Sequence, residues 1–499
     1  MTYLRPKARV ARGATYLFVQ GFVQAFLGVI YFIVLARALS DHPEEMGIFA
    51  LLSFVLSLPQ IFGTFALPSA AIKYISQYIA ENNLDKAKSV VARTLQIGLL
   101  SSAVAFVLLF IPAEWLSKQM FNTADYALVL QVLALTCVFS ILYVSASSFL
   151  QGLQRMRDVA VIGLTFAVVQ DSVGIFLLYM GWRLHAVVYS WLAGLSVASV
   201  VGLIITARHL GVFGKPHQVK PLFQFSLPLY VSGGISYFIG WVDQLILVSY
   251  MSLLYGAAEA QGILGIYYVA IRASMVPTSF STSLVTALFP QLSELYTRRG
   301  SGSLKNAFSV SLRYSVLIGF PLIVGLITLA RPVIILFAGW HYIEAVEPLI
   351  IISIAALVST LGVAIGPILM TLERTTIVSI LSIVSVVISA LLSYFALAYL
   401  GLGMIGTAWA RIIVSIIVLA LSLYALKRYI PVSFDKEALW KSSAASVFMV
   451  LAIVALDLMR KFMSSGSYEF LVIRLHLLPV YVIVGASAYF LALAALRAI

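Results

Sequence analysis

The sequence predicts an all-α polytopic membrane protein of about fourteen transmembrane helices: two six-helix bundles related by a parallel pseudo-repeat, plus two C-terminal helices. Three observations carry this. Of 499 residues, 62% are hydrophobic and 10% are charged, whereas a soluble domain is about half apolar and about 25% charged. Apolar runs of about 20 residues recur along the chain. Finally, 32 Lys and Arg against 19 Asp and Glu concentrate in alternate loops, as cytoplasmic loops do. A soluble enzyme, a disordered chain and a disulfide scaffold are excluded. The net charge of +13 is loop asymmetry rather than a nucleic-acid footprint. The single cysteine, Cys137, allows neither an intrachain disulfide nor a Cys-cluster metal site.

The runs fall near 14–36, 46–67, 90–112, 126–150, 159–181, 185–207, 223–250, 262–283, 308–330, 346–370, 376–399, 402–426, 438–459 and 474–496. The first ends at Ala36-Arg37-Ala38, faintly like a cleavage site, but its apolar stretch is too long for a signal core and is read as an uncleaved helix. Pro332, Gly339 and Trp340 predict a broken or interfacial segment before the tenth helix. The segments do not alternate as barrel strands do. With the N-terminus inside, 23 basic residues face the cytoplasm, 7 face out, and Arg272 and Arg411 lie within spans. That ratio predicts an N-in, C-in topology in the plasma membrane.

The halves echo each other at an offset of 218–222. Gly47-Ile48-Phe49 aligns with Gly265-Ile266-Tyr267, Leu153-Gln154-Arg155 with Leu372-Glu373-Arg374, Trp191 with Trp409, and Gly21 with Gly240. An even number of helices per repeat makes the repeat parallel. The domains are then 1–207, a cytoplasmic linker at 208–222 rich in Gly and Pro, 223–430, and two further helices in 431–499. Like-oriented bundles imply a substrate cleft at their interface, or else a duplicated scaffold with a dry one.

Several motifs identify a family. They are Glu45-Met46-Gly47-Ile48-Phe49-Ala50, Leu67-Pro68-Ser69-Ala70-Ala71-Ile72-Lys73-Tyr74, Gln151-Gly152-Leu153-Gln154-Arg155, Trp241-Val242-Asp243-Gln244-Leu245 and Leu264-Gly265-Ile266-Tyr267-Tyr268-Val269-Ala270. The chain resembles the polysaccharide-transporter branch of the multidrug/oligosaccharidyl-lipid/polysaccharide exporter superfamily, which includes O-antigen-type flippases. The resemblance spans essentially the whole chain. It implies alternating-access transfer of a lipid-linked, diphosphate-bearing oligosaccharide to the outer leaflet by a monomer. Membrane lipids and glycan-assembly enzymes are its implied partners, with no nucleic acid and no cofactor, and proton or sodium coupling is open.

Ionisable residues inside spans cost about 2.5–3.5 kcal/mol on insertion scales and so mark candidate sites. Asp243 and Arg272, in spans seven and eight, either pair to fix their helices or line the substrate path. Gln24 stands near the repeat position of Asp243, with Gln20 one turn before it on the same face. Arg411, early in span twelve, either snorkels or offers its planar fork to a diphosphate. Asp171 is the best candidate for a protonatable coupling group, the alternative being a hydrogen-bonded core carboxyl; Asp243 is the second candidate. Lys73 through Arg93 and the repeat segment 291–313 read as interfacial amphipathic helices on anionic lipid. A sharper reading has Lys73, Arg155 and Arg374 gather a diphosphate headgroup at the cytoplasmic mouth. No HExxH, Walker loop or GxSxG is present, so neither an enzyme nor a nucleotide-driven pump is expected. The six scattered histidines suggest no metal site. Cationic spans favour anionic cargo over the organic cation of a drug antiporter. A membrane glycosyltransferase would carry a large catalytic loop, which this chain lacks.

Overall fold

In a computed structural model the backbone is described for residues 6–210, 216, 218–299, 301–372, 374–431, 435–463 and 477–496, and the side chains of these except 6–14, 232, 236, 280–304, 306–307 and 461–463. These residues form helices and connections, with no strand among them. Among the described residues thirteen helices are long and apolar enough to cross a membrane, so the chain is a multi-pass membrane protein. They match thirteen of the fourteen expected spans. The eighth span, 262–283, falls in a helix whose side chains from 280 on lie outside the described residues.

The contacts divide the chain into two compact units, the first running to Phe238 and adding Gly256–Gln261, the second holding the remainder. In the first unit come α1 (Pro6–Ala38), α2 (Pro43–Leu58), α3 (Leu67–Ala80), α4 (Leu84–Phe110), α5 (Ala113–Phe121), α6 (Ala127–Gly152), α7 (Met156–Tyr179), α8 (Arg183–His209) and α9 (Val219–Ile239). Pro59 opens a wide helical turn, Pro59–Gly63, after α2. The chain then bends through left-handed Phe65 and Ala66 into α3. That short helix buries Leu67, Ala70, Ala71 and Ile75 and leaves Lys73 exposed, the amphipathic pattern expected of it. Asn83 caps α4 by accepting from the Lys86 N–H at 3.1 Å.

The long helices pack through small residues, as membrane helices do without a hydrophobic drive between them. A Cβ on Gly194 of α8 would stand 2.8 Å from the Gln170 Cβ of α7, and one on Gly174 would stand 2.4 Å from the Tyr31 ring of α1. Hydroxyls in apolar surroundings bond back along their own helix, as Thr136 does to the Val132 carbonyl at 2.8 Å. Leu100, Leu108 and other outward apolar side chains are exposed because lipid, not water, is their solvent.

The expected linker at 208–222 includes 211–215 and 217, which lie outside the described residues. The division falls at 238/239, inside the seventh span, because α9 presses its aromatic face on the first unit. Tyr230 packs on Phe62 and Phe65 at 5.9 and 5.6 Å between ring centroids, and the Tyr237 hydroxyl donates to the Phe54 carbonyl at 2.7 Å. The span itself is two helices rather than one. It breaks at Gly240-Trp241, where the Gln244 amide donates to the Gly240 carbonyl at 2.7 Å and so satisfies a freed backbone acceptor.

The second unit holds α10 (Val242–Tyr255), most of α11 (Ala257–Arg299), α12 (Ser301–Thr328), α13 (Ala330–Ala338), a 3-10 turn (Trp340–Ala345), α14 (Val346–Thr360), α15 (Ile365–Thr371), α16 (Thr375–Ala398), α17 (Gly403–Lys427), α18 (Lys436–Met463) and α19 (Leu478–Ala495). The expected interruption before the tenth span is α13 and the 3-10 turn, joined through Gly339 at φ +90°. Here α10 packs on α16, α16 on α17, and α14 on α12 and α17. In the first unit α1 packs on α7, α7 on α8, and α6 on α4 and α8. The last two helices pack on each other and on α12.

Candidate functional site

In the second unit Asp243, Arg272 and Arg411 lie on three helices, α10, α11 and α17. The break after α9 starts α10 at Val242 and sets Asp243 in its first turn, 1% exposed. Arg411, one-third of the way along α17, meets it in a fork. Nε donates to Oδ2 at 2.5 Å and Nη2 to Oδ1 at 3.0 Å. The Tyr267 hydroxyl of α11 adds a third donor to Oδ2 at 2.9 Å, and the Arg411 guanidinium lies 5.9 Å from the Tyr267 ring centroid. A planar guanidinium offers two parallel N–H groups, the arrangement a carboxylate accepts best. Asp243 is therefore neutralised and satisfied within the unit.

Of the two alternatives for Asp243 and Arg272, a mutual pair is not the one formed, since Asp243 takes Arg411. Arg272 turns one helical turn back to Tyr268, where Nε donates to the hydroxyl at 2.7 Å and Nη2 donates to the same oxygen. The guanidinium sits 4.9 Å from the Tyr268 centroid, and Tyr268 stacks on Trp241 at 6.2 Å. Among the described residues no carboxylate lies within ion-pair distance of Arg272. A hydroxyl and a ring face hold its plane but leave its charge uncompensated.

The first unit is built differently. Gln20 donates to the Gln24 carbonyl oxygen at 3.2 Å, and the Gln24 amide donates to the Gly163 carbonyl of α7 at 2.8 Å. Gly163 is required by this contact, since a Cβ there would stand 2.1 Å from the Gln20 amide nitrogen. Asp171, two turns further along α7, is 5% exposed. It accepts from Gln170 at 3.2 Å, and among the described residues no basic side chain pairs with it.

The three basic residues expected at one mouth have separate surroundings. Lys73 lies 4.1 Å above the Phe225 ring and 5.2 Å from that of Tyr74, whose hydroxyl donates to the Pro221 carbonyl at 3.2 Å. Arg155 donates to Asp158 at 3.4 Å. Arg374, in the second unit, stacks 5.0 Å over Tyr429. All three are exposed. The repeat segment 291–313 lies largely outside the described side chains. Among the described residues no three His, Cys, Asp or Glu side chains gather as a metal site requires.

Sequence reasoning missed Tyr267 and Tyr268 as partners of the two arginines. The i, i+4 spacing of Tyr268 and Arg272 was a readable signal. Asp243 and Arg411 are 168 residues apart, and nothing local announces that contact.

The sequence model of a family described as polysaccharide biosynthesis protein matches residues 34–347. A relative in Haloferax volcanii, named probable low-salt glycan biosynthesis flippase Agl15, is 25% identical over 452 residues, 88% of each chain. Among solved structures, lipid II flippase MurJ in an inward closed conformation shares the fold with a TM-score of 0.73 and 17% identity, over 95% of this chain and 97% of that one. An inward-facing multidrug resistance MATE family transporter of the MOP superfamily shares it with a TM-score of 0.65 and 14% identity, over 81% and 95%.

Proposed function

The chain belongs to the polysaccharide biosynthesis protein family, and from that premise we propose that it is a flippase. Its cargo is a lipid-linked, diphosphate-bearing oligosaccharide, moved from the cytoplasmic to the outer leaflet by alternating access. The observation that carries the reading is the unpaired charge of Arg272. A buried carboxylate consumes the charge of Arg411, so Arg272 is the cation left to meet a phosphate. The Tyr268 ring and hydroxyl pre-orient it, which lowers the entropy lost on binding. The glycan-biosynthesis relative supports the same cargo class.

The proposal includes an N-in, C-in orientation, from the loop charges. It also takes the helices as a parallel repeat, supported by the same order of packing inside each unit: α1, α7, α8, α6 and α4 in one, α10, α16, α17, α14 and α12 in the other. Lys73, exposed on α3, and Arg155 and Arg374, exposed at the starts of α7 and α16, would meet anionic headgroups on the cytoplasmic side. Asp171 is the candidate coupling group, because, unlike Asp243, it is buried with no basic side chain paired to it among the described residues. Proton or sodium binding at Asp243 would have to displace the Arg411 fork. A second reading, an ion-coupled organic-cation antiporter, rests on that same unpaired Asp171 and on the shared transporter fold.

The test is leaflet transfer in proteoliposomes. A labelled lipid-linked oligosaccharide is followed by its accessibility to an external glycan-cleaving enzyme, with and without imposed proton and sodium gradients. Protein-dependent transfer that falls about tenfold or more in Arg272→Ala, and less in Arg272→Lys, supports the flippase. Transfer that is absent, with gradient-driven efflux of an organic cation in its place, moves the reading to the antiporter.

A further inference from the structure

The first unit carries a second polar constellation that the proposal above does not use. Three connections converge at one end of the unit: the start of α2, the α5–α6 connection and the α7–α8 turn. They border an open pocket of about 350 Å³, within the range of small-molecule sites. Glu45 lines it and is 8% exposed. Its Oε1 lies 3.1 Å from Nη2 of Arg183, but that Nη2 and the second carboxylate oxygen, Oε2, are buried without a hydrogen-bond partner. Native structures rarely leave such groups unmet. Tyr126, Trp182 and His185 complete the wall. The Tyr126 ring is braced by Phe121 at 5.4 Å and the Trp182 ring by Tyr189 at 5.7 Å, both edge-on.

The backbone pays a conformational penalty to hold Arg183 there. Gly181 and Arg183 adopt φ of +82° and +49°. The corresponding turn of the second unit, between α16 and α17, has Gly401 and Gly403 at φ of +62° and +55°. At an offset of 220 residues Tyr179-Met180-Gly181-Trp182-Arg183 thus answers Tyr399-Leu400-Gly401-Leu402-Gly403. The second copy fills the left-handed position with glycine, for which it is free of strain. The first copy keeps an arginine in the same conformation, and strain of this kind gathers at functional sites.

We propose that this pocket binds a neutral pyranose, one sugar unit of the glycan, with Glu45 accepting from one hydroxyl and Arg183 donating to its neighbour. The argument is chemical. The pair is neutral in sum, so it does not select an ion. A carboxylate oxygen without a donor, beside a guanidinium that is ion-paired through one nitrogen and part exposed, matches vicinal hydroxyls, each of which gives one hydrogen bond and takes another. Trp182, 47% exposed, offers an indole surface to the C–H face of the ring, the usual role of an aromatic wall in a polar site. With the proposed N-in orientation this end faces outward, and the site would hold glycan that has crossed. The inference rests on the flippase reading for the identity of its sugar, but not for its existence.

The experiment is saturation-transfer NMR on the full chain in nanodiscs, with methyl glycosides of glucose, galactose, mannose and N-acetylglucosamine as probes. Wild type is expected to give saturable transfer with at least one of them. The double variant Glu45→Gln/Arg183→Gly removes the charge pair and restores glycine to a left-handed position, so its thermal unfolding midpoint should be unchanged or higher. Its sugar affinity should fall about tenfold or more. Trp182→Ala, at an exposed position, should weaken binding with the fold intact. Leaflet transfer is measured on the same preparations. Wild type that transfers lipid-linked oligosaccharide yet binds no glycoside overturns this inference and leaves the flippase standing. Binding that survives the double variant also overturns it. Sugar binding without any transfer keeps the site and removes the flippase reading.

Discussion

The helices around Asp243 and those around Asp171 treat buried polarity in opposite ways. On α10 and α17 a carboxylate and a guanidinium 168 residues apart close a fork with a tyrosine hydroxyl against it. On α1 and α7 the corresponding work falls to uncharged amides, Gln20 and Gln24, bonded to each other and to a backbone carbonyl. The one carboxyl buried in that helix group, Asp171, has an amide for company and no cation. An ion pair in a low-dielectric interior is rigid, because separating it leaves two uncompensated charges. An amide chain yields at little cost, and a lone carboxyl responds to protons or cations. The second unit therefore reads as locked at Asp243, with Arg272 left free to act, and the first as responsive at Asp171.

The most direct way to break the comparison is at the fork. Asp243→Asn strands Arg411 in a buried site and should cost about 3–5 kcal/mol of stability, as should Arg411→Ala for Asp243. The double variant Asp243→Leu/Arg411→Met should recover most of that loss. Unfolding followed in micelles for Asp243→Leu, Arg411→Met and this double gives the coupling energy. A coupling near zero would mean that the fork is not the lock described here.

Gly163 tests the amide side by crowding rather than by charge. In Gly163→Ala the new methyl meets the Gln20 amide nitrogen at 2.1 Å unless that side chain swings away. The expected loss is about 1–3 kcal/mol. Gly163→Ala/Gln20→Ala should restore it, since the shortened side chain clears the methyl. If the single variant unfolds at the wild-type midpoint, the α1–α7 contact is looser than the geometry indicates.

Asp171→Asn sharpens the contrast most clearly, because it is the same substitution as at Asp243 with the opposite expectation. No cation is stranded, so stability should stay within about 1 kcal/mol of wild type. If Asp171 couples transport to an ion, the gradient dependence of leaflet transfer should vanish while ungraded transfer persists. A loss comparable to that of Asp243→Asn would point instead to a structural carboxyl.

How much of this was legible follows from range. The spans were readable because a bilayer demands about 20 apolar residues of each helix, a local requirement. The α13 interruption was readable from Pro332 and Gly339, and Gln20 and Gln24 from their spacing on one face. The helix break at Gly240 was present as a glycine beside Trp241, but a continuous apolar run concealed it. The partner of Asp243 was not readable, since two arginines lay in spans and only the fold chooses between them. The Glu45–Arg183 pair was hidden by its position at helix ends, where basic residues are ordinarily counted as loop charge. The aromatic side chains of α9 decide which unit that helix joins, a long-range choice that local composition does not announce.

The smallest effect belongs to Gln24. Its amide donates to the Gly163 carbonyl, a group that lies inside α7 and has its helical donor already. Gln24→Leu therefore removes a supplementary bond rather than orphaning a backbone acceptor. The loss should be about 0.5–1 kcal/mol, offset in part by the added apolar surface. Asp243→Leu in the second unit orphans a charge and should cost several times more. Measuring both in one series of micelle unfolding experiments sets the ratio directly. A ratio near one would show that an amide and an ion pair are interchangeable at these two positions, and the distinction between a yielding and a locked unit would fall with it.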